Sequence, residues 1–233
     1  MDIRHDLAGA KERLLDAALP HVAFDGWSDT TFRAAADDAG LAFEIARAIC
    51  PRGALDLAVA YHRRGDAEME EGLRSGDLSA LRLRDRIARA IRLRLDAADR
   101  EVVRRGAALF ALPQNAASGA GLVWGTADAI WRALGDTSDD INWYSKRATL
   151  SAVYSATALF WLGDESDGHA ATWEFLDRRI EDVMRFEKLK AQVRDNLVLS
   201  KVLAGPLRAL GRVRAPAGAP WDLPGRMKDE EKA

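Results

Sequence analysis

Residues 26–50 read Gly26-Trp27-Ser28-Asp29-Thr30-Thr31-Phe32-Arg33-Ala34-Ala35-Ala36-Asp37-Asp38-Ala39-Gly40-Leu41-Ala42-Phe43-Glu44-Ile45-Ala46-Arg47-Ala48-Ile49-Cys50. Ser28 is a good N-cap for a helix over Thr30–Ala39, because its hydroxyl can accept from a free backbone N–H of the first turn. Gly40 ends that helix, and a shorter one is predicted over Phe43–Ile49. Upstream, Leu7, Leu14, Leu15, Ala18 and Val22 line one side of a helix over 7–24, which Gly26 breaks. Downstream, Pro51 and Gly53 lead into a longer helix from Leu55 to Leu73. Short helix, glycine turn, short helix and a long connecting helix make a helix-turn-helix module.

The rest of the chain keeps the helical period. Alternating apolar and polar runs bounded by turn residues are lacking, whereas spacing of three and four recurs, so the fold class is all-α. The 233 residues suffice for one good core, or for a small module beside a larger one. With 48% hydrophobic residues the chain is no disordered polymer. Its net charge is −2, yet seven basic residues and one acid lie between Lys188 and Arg214. An acidic body with a basic segment near its end suggests an anionic partner surface for that segment alone. The single Cys50 excludes an internal disulfide and fits a reducing compartment. The first apolar stretch follows several charges, so no signal peptide is read. The longest apolar run, Ala148–Gly163, is about 24 Å long as a helix. That is short of a bilayer core of roughly 30 Å, so it reads as a buried helix.

Three function classes can be weighed from residue types. DNA recognition needs cations facing phosphate. From Trp27 to Cys50 there are four acids (Asp29, Asp37, Asp38, Glu44) and two bases (Arg33, Arg47), so no nucleic-acid partner is expected. The helix read over Leu78–Ala97 carries Arg82, Arg84, Arg86, Arg89, Arg92 and Arg94 around an apolar stripe of Leu81, Ile87, Ile91 and Leu95. It reads as a solvated face packed on an acidic body. For catalysis, His5, His21, His62 and His169 show no metal-ligand spacing, and no nucleophile–base pair or phosphate loop is present. No catalytic residue, metal or cofactor is therefore expected. The third class is binding. After the helix over Arg100–Leu112, which Pro113 stops, Gly119, Gly121 and Gly125 share a helix with Trp124 and Trp131. Interior glycines cost about 1 kcal/mol each, so they are expected to give close helix approach or room for a bound group. Trp124, Trp131, Tyr154 and Trp161, with Leu109 and Phe110, are the candidate lining of a ligand-accommodating wall.

A second binding stripe opens the helix read over 138–162. Thr137 and Ser138 are candidate caps, with Asp139 and Asp140 in the first turn. Trp143 and Arg147, four apart, share a face with Tyr144 beside them, the composition of a binding hot spot. Beyond the turn 163–168 and a helix opening at Thr172, Leu199, Val202, Leu203, Pro206, Leu210 and Val213 recur at helical spacing. Lys201, Arg208 and Arg212 lie opposite, and Leu207 sits at the edge. This reads as a membrane-surface helix. Expected boundaries are a helix-turn-helix module over 1–75, a lipid- and partner-binding body over 76–187, the basic amphipathic helix over 188–214 and a disordered tail over 215–233.

Two resemblances attach to these residues. The run from Leu14 to Leu41 is similar to the N-terminal module of tetracycline-repressor-type regulators. Leu112-Pro113-Gln114-Asn115, Gly135-Asp136-Thr137-Ser138-Asp139, Asn142-Trp143-Tyr144, Lys146-Arg147, Val153-Tyr154, Asp164-Glu165-Ser166 and Thr172–Ile180 together resemble the ubiquinone-biosynthesis accessory family, the ninth coenzyme-Q protein. The resemblance implies a tetracycline-repressor-like bundle that binds an isoprenoid lipid or quinone in place of operator DNA. It further implies peripheral membrane contact and assistance to the di-iron demethoxyubiquinone hydroxylase. The family's partner surface falls on Asp140, Trp143, Tyr144 and Arg147. Its membrane helix falls on Leu199, Lys201, Val202, Leu203, Leu207, Arg208, Leu210 and Arg212. A homodimer is plausible for the fold. Without a transit peptide, the bacterial cytoplasm with inner-membrane attachment is the expected setting. The competing reading is a ligand-responsive transcriptional regulator.

Overall fold

The computed structural model describes residues 3–195. The amphipathic segment with Leu199, Lys201, Val202, Leu203, Leu207, Arg208, Leu210 and Arg212 lies outside the described residues, as does the tail. Among the described residues there are nine α-helices and one short 3-10 turn: α1 (Ile3–Asp25), α2 (Asp29–Asp38), α3 (Phe43–Ile49), α4 (Ala54–Ser75), α5 (Leu83–Asp96), α6 (Arg100–Ala111), α7 (Ala116–Ala133), α8 (Ile141–Gly163) and α9 (Ala170–Asp195).

The opening module forms as read. Ser28 Oγ accepts the Thr31 N–H, and Gly40 closes α2 with φ near +65°, a backbone that a side chain would strain. Leu14, Leu15, Ala18, Val22, Phe32, Ala46 and Leu57 are buried against one another as a first core. A second core gathers Met69 and Leu73 of α4, Ile91 and Leu95 of α5, Ile130 of α7, Leu150 of α8 and Leu176 and Ile180 of α9. Helix α4 is the one element with buried residues in both cores, and so ties the module to the body.

Two starts differ from expectation. Helix α5 begins at Leu83, five residues later than Leu78, because Asp77 Oδ1 accepts both the backbone N–H and the hydroxyl of Ser79 and holds a turn there. Helix α8 begins at Ile141. Its cap is Asp140, whose carboxylate accepts the Asn142 N–H, while Ser138 donates instead to Asp136.

The glycines of α7 also divide. A Cβ at Gly119 would lie 2.8 Å from Phe110 Cβ, so this glycine lets α6 and α7 approach. At Gly121 and Gly125 a Cβ would meet nothing within 4 Å. No described helix is long and apolar enough to cross a membrane, as expected for Ala148–Gly163.

Candidate functional site

Helices α4 to α8 enclose a cavity of about 280 Å³. Small residues make the space: Gly106, Ala107 and Ala111 on α6 face Ala116, Gly119 and Ala120 on α7. Phe110, Val102, Val103, Leu122 and Val123 supply apolar wall. Ala111, Ala116 and Ala120 are exposed, which places the mouth at the α6–α7 edge. The inner end is polar, built from Tyr61, His62, Arg94 and Tyr154, and Trp27 from the turn before α2 joins the wall beside Tyr61.

That polar end is a bonded network. Arg94, 2% exposed, donates from Nε to Asp66 at 2.8 Å and from Nη2 to the His62 carbonyl at 2.9 Å. Thr126 Oγ1 donates to Asp66 at 2.9 Å and meets His62 Nε2 at 2.8 Å. Burial, then the neighbouring Arg94 charge, pushes His62 down to about 4, so its ring is neutral near pH 7. The single Thr126 proton has two acceptors in reach, Asp66 and the Leu122 carbonyl, and the Leu122 backbone also bonds His62, so the ring is held between Thr126 and α7. Tyr61 Oη accepts the Asp99 N–H at 2.8 Å. Burial raises the pKa of both Tyr61 and Tyr154, so both keep their protons.

The six expected lipid residues do not converge. Tyr154 and Phe110 line this cavity. Trp131 lines another, of about 210 Å³, between α5, α7, α8 and α9. Trp161 is sealed in the second core and packs edge-on to His169. Leu109 packs on the first core, its carbonyl bonded by Asn115. Trp124 sits against Trp143. Sequence reasoning missed His62, Arg94 and Tyr61. Arg94 was findable: it falls three residues after Ile91 and seven after Ile87, on the apolar stripe and not on the solvated face.

The stripe on α8 is also reorganised. Trp143 and Tyr144 are half-buried and pack edge to face at 4.8 Å, with Trp124 at 5.9 Å from Trp143. Arg147, read as a surface anchor, is instead 2% exposed. Its guanidinium donates to Asp128 at 2.6 Å and Asp136 at 3.1 Å, and lies 4.0 Å from the Trp143 ring centre. Two carboxylates draw it inward, so the indole is held from beneath by a cation. Burial opposes the Asp136 charge, but hydrogen bonds from Lys146, Ser138 and Arg147 outweigh it and bring its pKa to about 2. Asp140, the fourth member, is engaged in capping α8. Among the described residues, no group of three or more His, Cys, Asp or Glu could hold a metal ion.

Helix-turn-helix followed by a helical body makes a tetracycline-repressor-like fold. A TetR transcriptional regulator from Nitrosomonas europaea has this fold, with a TM-score of 0.61 and 22% identity over 73% of this chain and 95% of that one. Residues 116–187 match the COQ9 family model, which bears out the resemblance to the ubiquinone-biosynthesis accessory family. Relatives named ubiquinone biosynthesis protein COQ9, mitochondrial, include those of Drosophila melanogaster (29% identity over 78% of this chain and 57% of that protein), Rattus norvegicus (31%, 79% and 62%) and Homo sapiens (30%, 79% and 60%). This chain thus spans about three fifths of the length of the curated relatives it matches. All three are named as mitochondrial, which contradicts the expected setting in the bacterial cytoplasm and inner membrane.

Proposed function

We propose that this protein is a non-catalytic accessory protein of ubiquinone biosynthesis that takes an isoprenoid quinone intermediate from a membrane surface and presents it to the di-iron demethoxyubiquinone hydroxylase. The observation that carries this reading is the α4–α8 cavity, apolar along its walls and polar at its inner end. At about 280 Å³ it sits at the small end of ligand sites, which run roughly 300–1,000 Å³. That suits a substituted ring with about one isoprene unit, the remaining chain leaving by the α6–α7 mouth. Burying apolar surface gains roughly 25 cal/mol per Å², which offsets removing the lipid from the bilayer. The basic amphipathic segment outside the described residues would dock the body on the membrane. Trp143 and Tyr144 would meet the hydroxylase, with Arg147 fixing the indole from below. Mass spectrometry of lipids carried by the purified full chain tests the first half: a co-purifying polyprenyl quinone or phenol is expected, and a chain free of isoprenoids sinks the reading.

The second reading, a ligand-responsive transcriptional regulator, is favoured by the intact α2–α3 module and the repressor-like fold. Helix α3 exposes Glu44 and Ile45 beside Arg47, a surface short of the cations that phosphate contact requires. A gel shift with genomic fragments at low salt separates the two: salt-sensitive, sequence-selective retention would replace the lipid reading.

A further inference from the structure

Tyr154 is 5% exposed and lines the cavity; among the described residues the one sealed side-chain polar atom without a partner is Ser151 Oγ, so the Tyr154 hydroxyl reaches the open cavity. A buried phenol normally finds a partner. This one lines the cavity beside Tyr61, His62 and Arg94. Its neighbours limit what would satisfy it. Asp66 is taken by Arg94 and Thr126. Tyr61 Oη already accepts the Asp99 N–H, so it too has a proton left to donate. The charges at this end already balance, one guanidinium against one carboxylate, so no net positive charge is left to attract a phosphate.

We propose that the Tyr61–His62–Arg94–Tyr154 end of the cavity is a head-group subsite that selects a neutral oxygenated ring, with the Tyr154 hydroxyl donating to a ring oxygen. This rests on the reading that the cavity holds an isoprenoid quinone or phenol. A carbonyl oxygen on the ring accepts from Tyr154 or Tyr61. A hydrocarbon of the same shape would leave the Tyr154 donor unpaired, which a buried site penalises. A diphosphate head would enter without a compensating cation. The subsite therefore sets both the orientation of the ligand, ring inward and chain outward, and its chemical class.

The test is calorimetric titration of the full chain, in detergent-free buffer, with three probes. These are the one-isoprene ubiquinone, prenylbenzene as a prenylated ring without oxygens, and geranyl diphosphate. The wild type should bind the quinone at least tenfold more tightly than prenylbenzene, and geranyl diphosphate more weakly than either. Tyr154→Phe, which keeps the ring volume, should lose about tenfold for the quinone and nothing for prenylbenzene, with an unchanged thermal melt. Tyr61→Phe is a second variant of the same kind and should lose a comparable factor for the quinone. Equal losses for quinone and prenylbenzene, or no loss in either variant, overturn the subsite while leaving the cavity as a lipid site. Tightest binding of geranyl diphosphate overturns the neutral-head selection. A wild type that binds neither quinone nor prenylbenzene removes the lipid reading itself, and the subsite with it.

Discussion

Replacing Arg147 by alanine leaves Asp128 and Asp136 facing one another without their shared cation. Breaking a buried pair this way costs on the order of 3–5 kcal/mol, and a large drop in the thermal midpoint is expected. Arg147→Glu should be worse, since it adds a third carboxylate. Trp143→Lys loses its contacts with Tyr144, Trp124 and the guanidinium, about 1–2 kcal/mol. It should therefore abolish capture of the hydroxylase from a mixed solution well below its own melt. If Trp143→Lys captures the enzyme as the wild type does, the patch is not the partner surface. His62 gives a pH dependence with a defined sign. Its folded pKa, about 4, lies below the unfolded value of roughly 6.5, so the unfolded chain binds more protons between these limits. Stability is thus full above about pH 6.5 and falls by up to about 3 kcal/mol as pH drops toward 4. Denaturant melts at pH 7 and 4.5 should show that loss in the wild type and a smaller one in His62→Gln, which keeps a donor for Thr126.

Helix termini and close approaches set the next level. Asp140→Ala removes the cap of α8, worth about 1 kcal/mol, and should loosen the first turn on which Trp143 and Tyr144 stand. Hydrogen exchange of the amides over 141–144 would report it; unchanged protection there would mean that packing against α7, not the cap, holds the turn. Gly65 is a different case. Helix propensity alone favours alanine there by about 1 kcal/mol, but a Cβ would lie 2.5 Å from Arg94 Nη1. The expected outcome of Gly65→Ala is a net loss of stability, because Arg94 cannot move without abandoning Asp66. Helices of this kind were legible in the sequence wherever period and cap agreed, as at Ser28 and over Phe43–Ile49. The α8 start was misplaced because Thr137, Ser138, Asp139 and Asp140 are all acceptable caps, and only tertiary bonding to Lys146 and Asp136 selects among them. The lining of the cavity was less legible. Indoles mark apolar surface of any kind, core or cavity, whereas the polar end is made by residues far apart in sequence, Tyr61, Arg94 and Tyr154, brought together by folding.

At the scale of the whole molecule, the expected boundary at residue 75 falls at the end of α4, yet α4 contributes Leu57 to the first core and Met69 to the second. It also carries Tyr61, His62 and Asp66. A fragment beginning at residue 76 is expected to show no cooperative melt and no quinone binding, measured by circular dichroism and calorimetry; a fragment that melts sharply would show the body to be self-sufficient. The matched stretch 116–187 contributes α7, α8 and part of α9, only one side of the chamber. The helix-turn-helix module is thus not a separable appendage. Its connecting helix α4 is the back wall of the cavity, so removing residues 1–75 would strip Tyr61 and His62 from the lining.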